Sequence, residues 1–146
     1  MKSEAAFWDT SAIIPLYCNQ VMSSDSRAVR QRFSALAVWW GTHVEVHSAL
    51  NRLSREGVQS ELQTKSAFEK WARLRSSARI IKPDDNILGM AASLTADNGI
   101  RALDSFQLAA ALVWCRERPR NRPFICADKR LGDAADQAGF DVVSIA

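Results

Sequence analysis

Apolar positions along the chain fall into two alternating kinds of run. Short, nearly continuous apolar runs occur at AFW (6–8), LAVWW (36–40), RII (79–81), PFICA (123–127) and DVVSI (141–145), and these read as strands. Longer stretches with helical spacing lie between them, at 11–17, 24–34, 43–55, 60–76, 85–97, 104–117 and 130–138. Gly57, Gly99 and Gly139 follow three of these helices, where a left-handed stop is wanted. Pro83 and Pro119 mark two further boundaries.

Strands that alternate with helices predict a parallel sheet covered on both faces, because each crossover must pack back onto the sheet. The unbroken apolar character of the strands agrees, since a doubly covered strand is buried on both sides. The class is therefore α/β. With 146 residues, 47% of them apolar, the chain can bury a proper core, and the expectation is one domain over residues 1–146. There is no internal repeat, low-complexity tract or linker.

Composition narrows the setting. No stretch approaches the roughly 18–20 apolar residues that span a bilayer, and the longest unbroken apolar run, 108–115, reads as part of a helix. No basic segment with an apolar core opens the chain, so no secretory signal and no membrane association are expected. Cys18, Cys115 and Cys126 are odd in number, far apart and set among apolar residues. They suit buried thiols in a reducing cytoplasm better than disulfides or a zinc site. A formal charge of +3 and a pI near 9.0 permit nucleic-acid binding without requiring it. The densest basic segment is RERPRNRP, 116–123, which reads either as a solvated loop or as a phosphate contact.

Candidate chemistry begins with AFWDTSAIIPLY, 6–17, where an apolar strand ends abruptly in Asp9. In open parallel sheets, sites form beyond the carboxyl ends of the strands, at the switch point of the winding. Asp9 follows the first strand, Glu45 lies in the first turn of the helix after the second, Asp104 opens a helix, and Asp128 follows the fourth strand. Each acid alone has a structural explanation. Thr42 with Glu45 matches a capping box, and Asp9, Asp104 and Asp128 can each cap a helix. Together, four acids at one rim repel one another unless a cation neutralises them. Mg²⁺ or Mn²⁺ prefers such hard oxygen ligands, and phosphodiester hydrolysis is the chemistry that follows. Ser11 stands where its hydroxyl can hold Asp9 or simply start the helix, and Arg101 where it can pair with the acids, steady a phosphate, or face solvent.

At these residues the chain resembles the PIN-domain nucleases, especially the small VapC-type toxins of toxin–antitoxin pairs. The resemblance spans essentially the whole chain and rests on the order and spacing of DTSAIIPL, the Glu45 helix, GIRALDSFQLAAAL and ICADKRLGDAADQAGF. It implies a three-layer α/β/α sandwich with a central, mainly parallel sheet of four or five strands. It also implies a metal-dependent endoribonuclease site in which Asp9, Glu45, Asp104 and Asp128 form an acidic quartet. Asp9, Asp104 and Asp128 would ligate Mg²⁺ or Mn²⁺, directly or through water, and Glu45 would ligate or activate water. RNA as substrate, a homodimer and a VapB-like antitoxin whose tail occupies the site are implied as well. Two residues depart from the pattern: Cys126 where threonine or serine is common, and Gln107 where histidine is frequent.

Other signals compete weakly. His43 and His47 in HVEVH share a helical face, but a zincin needs glutamate directly after its first histidine. An aspartyl-nucleophile phosphatase would want a second aspartate at Ser11, and a receiver domain an acidic pair at its first strand end; Asp84 and Asp85 look like a helix start instead. Trp8 and Trp39 are expected in the sheet core, Trp71 and Trp114 on apolar helix faces, and Trp40 in packing or, alternatively, stacked on a base. Leu62, Phe68, Trp71 and Leu74 are expected to pack onto their own domain rather than a partner. The expected function is a Mg²⁺/Mn²⁺-dependent endoribonuclease of the VapC type. The alternatives are a non-catalytic RNA-binding or scaffold protein of the same fold, and a PIN nuclease of RNA processing that has no antitoxin.

Overall fold

The computed structural model describes residues 5–18, 23–97 and 99–145. Five strands alternate with seven helices among them: β1 (Ala5–Trp8), α1 (Thr10–Tyr17), α2 (Ser23–Gln31), β2 (Ala35–Trp39), α3 (Thr42–Arg55), α4 (Glu61–Ser77), β3 (Arg79–Ile81), α5 (Asp85–Leu94), α6 (Ala102–Trp114), β4 (Pro123–Cys126), α7 (Lys129–Ala138) and β5 (Asp141–Ser144). All four strand pairings are parallel, in the order β3-β2-β1-β4-β5. The chain winds outward from β1 through β2 to β3, then crosses back to lay β4 on the other side of β1. The switch point therefore lies between the carboxyl ends of β1 and β4.

Strand residues alternate between two cores, as a period of two requires. Ala6, Trp8, Leu36, Val38 and Ile125 face α1–α4, while Phe7, Ala37, Trp39, Phe124 and Cys126 face α5–α7. This is a three-layer α/β/α sandwich. Phe7 and Trp8 are fully buried, one on each face, so the central strand is anchored in both layers. Burial of such a side chain contributes on the order of 3 kcal/mol.

The helix ends show where local chemistry overrides periodicity. The helix expected over 104–117 begins earlier and stops at Trp114, because Arg116 and Glu117 adopt positive φ of 54° and 58°. The helix expected over 85–97 stops at Leu94, so Gly99, although left-handed, is not its stop. The helix expected over 24–34 ends at Gln31, which lets Phe33 turn inward before β2. Trp71 and Leu74 pack into the domain and Phe68 against it, whereas Leu62 is exposed. Trp8, Trp39, Trp71 and Trp114 are buried as expected; Trp40 lies just beyond β2 and is 49% exposed. Cys18, Cys115 and Cys126 are free and buried. No helix among the described residues is long and apolar enough to cross a membrane.

Gly139 closes α7 with φ of 110°, and a Cβ there would sit 3.1 Å from Pro119 Cγ. Gly139→Ala is expected to destabilise the fold by roughly 1–2 kcal/mol, from left-handed strain alone. A urea-unfolding midpoint equal to that of the parent would contradict this.

Candidate active site

Asp9, Glu45 and Asp128 follow the ends of β1, β2 and β4, whereas Asp104 stands in the first turn of α6, the helix after α5. Asp9 leaves β1 with extended φ and ψ and caps α1, its carboxylate accepting from the Ser11 amide at 3.2 Å. The Ser11 hydroxyl donates to the same oxygen and accepts from the Ala127 amide at 2.9 Å. Asp9 N in turn donates to Ile125 O at 3.0 Å. Ser11 thus stitches the ends of β1 and β4 together across the switch point. Asp128 caps α7 through the Leu131 amide at 3.0 Å. It is exposed at the rim, while Asp104 and Glu45 are half-buried and Asp9 is 4% exposed.

Two local expectations fail for a tertiary reason. Thr42 and Glu45 form no capping box: Gly41 holds the cap position of α3 without a side-chain bond, and Thr42 is the first helical residue. Both side chains are drawn instead toward Gln107, whose Nε2 donates to Thr42 Oγ1 at 2.9 Å, Glu45 Oε1 at 2.9 Å and Thr10 Oγ1 at 3.0 Å. The Thr10 hydroxyl lies within hydrogen-bond reach of Thr42 Oγ1 (3.1 Å) and Glu45 Oε1 (3.3 Å). Asp104 is not a cap either; Arg101 occupies that position, and Asp104 sits in the first turn of α6, where a negative charge suits the helix dipole.

The four acids share one electrostatic neighbourhood. Burial, then Glu45 and Asp104, push the Asp9 carboxyl up to about 7 against the opposing pull of its Ser11 hydrogen bonds. Burial and Asp104 raise Glu45, opposed by the bonds from Gln107 and Thr10. Burial and Asp128 raise Asp104, with Arg101 and Arg130 acting in the opposite sense. The Cys126 thiol lies among Asp9, Asp128 and Asp104, and burial followed by these charges pushes it up to about 12. It stays a neutral thiol, donating weakly to Asp128 O at 3.3 Å.

Among the described residues, no three His, Cys, Asp or Glu side chains close into a ready-made cage for an ion. The donor set nonetheless fits Mg²⁺ or Mn²⁺: it is all hard oxygen, it is mutually repelling, and no carboxylate in it forms an ion pair, the one such pair among the described residues being Lys129–Asp133. A hydrated Mg²⁺ needs only one or two carboxylates in its inner shell.

Other candidates lie elsewhere. His43 Nδ1 accepts from Trp71 Nε1 at 3.1 Å and the His47 ring packs on Phe68 at 4.6 Å, so both histidines face α4. The segment 116–123 precedes β4 and so lies at the amino end of the sheet, opposite the acids; Arg122 there covers the Trp114 ring at 4.3 Å. Arg101 is exposed beside Asp104 without a direct ion pair. Sequence reasoning missed Thr10 and Arg130, read Thr42 only as part of a capping box, and treated Gln107 only as a departure. The available signal was Gln107 three residues after Asp104, a polar side chain one turn along an otherwise apolar helix.

No protein-family profile and no curated protein matches the chain. Solved structures do. A chain of a toxin–antitoxin complex from Klebsiella pneumoniae superposes with a TM-score of 0.66 at 17% identity, covering 97% of this chain and 98% of that one. PAE2754 from Pyrobaculum aerophilum superposes with a TM-score of 0.63 at 16% identity, covering 99% and 91% respectively. At such identities the likeness establishes a shared fold.

The raised Asp9 pKa has a stability consequence. Between the ordinary value of 3.8 and about 7 the folded chain holds a proton that the unfolded chain has lost, so stability falls as pH rises through this window. In chelator, the melting temperature should drop between about pH 4 and pH 7, and Asp9→Asn should flatten the drop. A pH-independent melting temperature in the parent would contradict the burial. Separately, Gln107→Leu deprives Glu45 of a donor inside the domain, for an expected loss of about 1–3 kcal/mol by urea unfolding; an unchanged midpoint would show that the network carries no stability.

Proposed function

We propose that this chain is a Mg²⁺/Mn²⁺-dependent endoribonuclease of the PIN-domain type, acting as the VapC-like toxin of a type II toxin–antitoxin pair in the cytoplasm. The observation that carries the reading is the gathering of four carboxylates, from four separate segments, at the switch point of a parallel sheet. The shared fold with a chain of a toxin–antitoxin complex supports it. A VapB-like antitoxin, a homodimer and RNA as substrate belong to the same proposal.

Asp9, Asp104 and Asp128 are the residues that would hold the cation. When bound, it supplies positive charge for the phosphodiester oxygens and acidifies coordinated water. Glu45 is pinned through Oε1 by Gln107 and Thr10, and its proton affinity is raised. Its other oxygen takes the proton of the attacking water as the new oxygen–phosphorus bond forms and the bond to the leaving ribose oxygen breaks. Arg101 and Arg130, both exposed beside Asp104, meet the negative charge of the RNA backbone.

Purified protein incubated with total RNA and Mn²⁺ should give discrete cleavage ends, abolished by chelator. Asp9→Asn should reduce cleavage below detection with the fold intact, and Glu45→Gln should lower it by roughly 10²–10⁴-fold. Undiminished activity in Asp9→Asn would remove its assigned role. RNA retention without turnover under either metal would favour the non-catalytic alternative.

A further inference from the structure

The exposed apolar surface of this chain is gathered beside the acids. Of the six large apolar side chains that stand exposed among the described residues, four, Trp40, Val44, Leu88 and Leu103, line two adjoining clefts. One, of about 450 Å³, has Glu45 in its wall. The other, of about 490 Å³, runs past Trp40 to Leu88. Both include Trp39, Gly41 and Leu103, so they form one groove that starts at Glu45. Leu103 directly precedes Asp104, which brings a second acid to the same edge.

The groove has an aromatic floor. Trp39 stacks on Phe106 at 5.4 Å and meets Trp40 edge-on at 6.4 Å. Gly41 has ordinary helical dihedrals, with φ of −69°, so its backbone does not call for glycine. Space does: a Cβ at this position would collide with the Trp39 indole. Trp39 is only 7% exposed, and its indole N–H has no acceptor among the described residues. That nitrogen lies against Gly41, in the wall of both clefts, where it can donate to a ligand.

A gathered apolar patch marks a binding surface, and its neighbours decide what fits it. A protein seated across this groove would also cover Glu45 and shut the acids off from substrate. A strand held by its phosphate at the acids instead brings its bases to the groove. Glu45, Ser48 and Arg52 follow at three- and four-residue spacing on α3, so the exposed Arg52 stands on the same stripe and suits a neighbouring phosphate. We propose that the groove receives a nucleobase of the substrate RNA beside the scissile phosphate, stacked on Trp40 and accepting from the Trp39 N–H. The step rests on the ribonuclease reading above. Stacking accepts any base, since each has a π-face, while the N–H fixes how the base is turned. Trp40 thereby helps to set where the strand is cut.

The test moves a single abasic position along a fluorescent single-stranded RNA around a cut mapped in the parent, with binding measured in chelator so that nothing is cleaved. In the parent, one position beside the cut should weaken binding by about tenfold, the loss of one stacked base. Trp40→Ala, at an exposed position, should bind the intact strand about tenfold more weakly and lose nothing further at that position. Trp40→Phe keeps a ring and should restore the sensitivity. With Mn²⁺ and total RNA, sequenced ends should show Trp40→Ala cutting at additional sites. A parent that cuts RNA but is indifferent to every abasic position, or a Trp40→Ala variant with the parent's full sensitivity, would overturn the groove and leave the nuclease reading intact. A parent that neither binds nor cuts RNA would overturn both. A Trp40→Ala variant that falls to a lower mass in light scattering, with RNA affinity unchanged, would assign the patch to a second copy of the chain and overturn the inference.

Discussion

The hydroxyl of Ser11 lies between two groups that must stay together for the rest of the site to exist. It donates to the carboxylate of Asp9 and accepts from the amide of Ala127, at the point where the winding of the sheet reverses. Parallel strands leave their carboxyl ends unpaired at such a point, and the gap between β1 and β4 is where a ligand enters. Closing that gap by one shared hydroxyl fixes Asp9 relative to the start of α7, and hence relative to Asp128.

That closure concentrates negative charge. The Asp9 carboxylate is buried yet, among the described residues, accepts hydrogen bonds only from Ser11, so burial and its neighbours raise it to about 7. The same logic runs through Glu45 and Asp104. Such an arrangement opposes folding as pH rises, and it persists because the surrounding structure holds it in place. Gln107 joins three of the segments that bring the acids, reaching Thr10 after β1 and both Thr42 and Glu45 on α3 from its own place on α6. Its Oε1 has no partner among the described residues, so the amide is oriented by what its nitrogen donates to. A residue that the sequence marked only as a departure thus holds the network together.

Charge is divided across the surface. The acids occupy the carboxyl rim, the basic 116–123 segment the amino rim, and Arg30, Lys70 and Arg73, which form no ion pair among the described residues, one helical layer. Exposed apolar side chains gather around Gly41, which has no Cβ because one would collide with the indole of Trp39. Trp39 stacks on Phe106 at 5.4 Å, flooring the cleft beside Glu45. Trp40, next in sequence and beyond the strand end, is exposed and meets the Trp39 ring edge-on at 6.4 Å, lining the adjoining cleft with it.

Periodicity determined the strands, the helices and their parallel arrangement, because two-fold and 3.6-fold patterns are local properties of the chain. The caps at Asp9, Asp84 and Asp128 were legible for the same reason, each being set by an amide two or three residues away. The candidate acids were legible once strand ends were located. What interactions between distant residues decided was different in kind. Thr42 and Glu45 match a capping box in sequence, yet a buried donor 65 and 62 residues away outcompetes the local amides. The proton affinity of Asp9 and the partnership of Ser11 with Ala127 likewise depend on burial and on neighbours remote in sequence, which no window of residues contains.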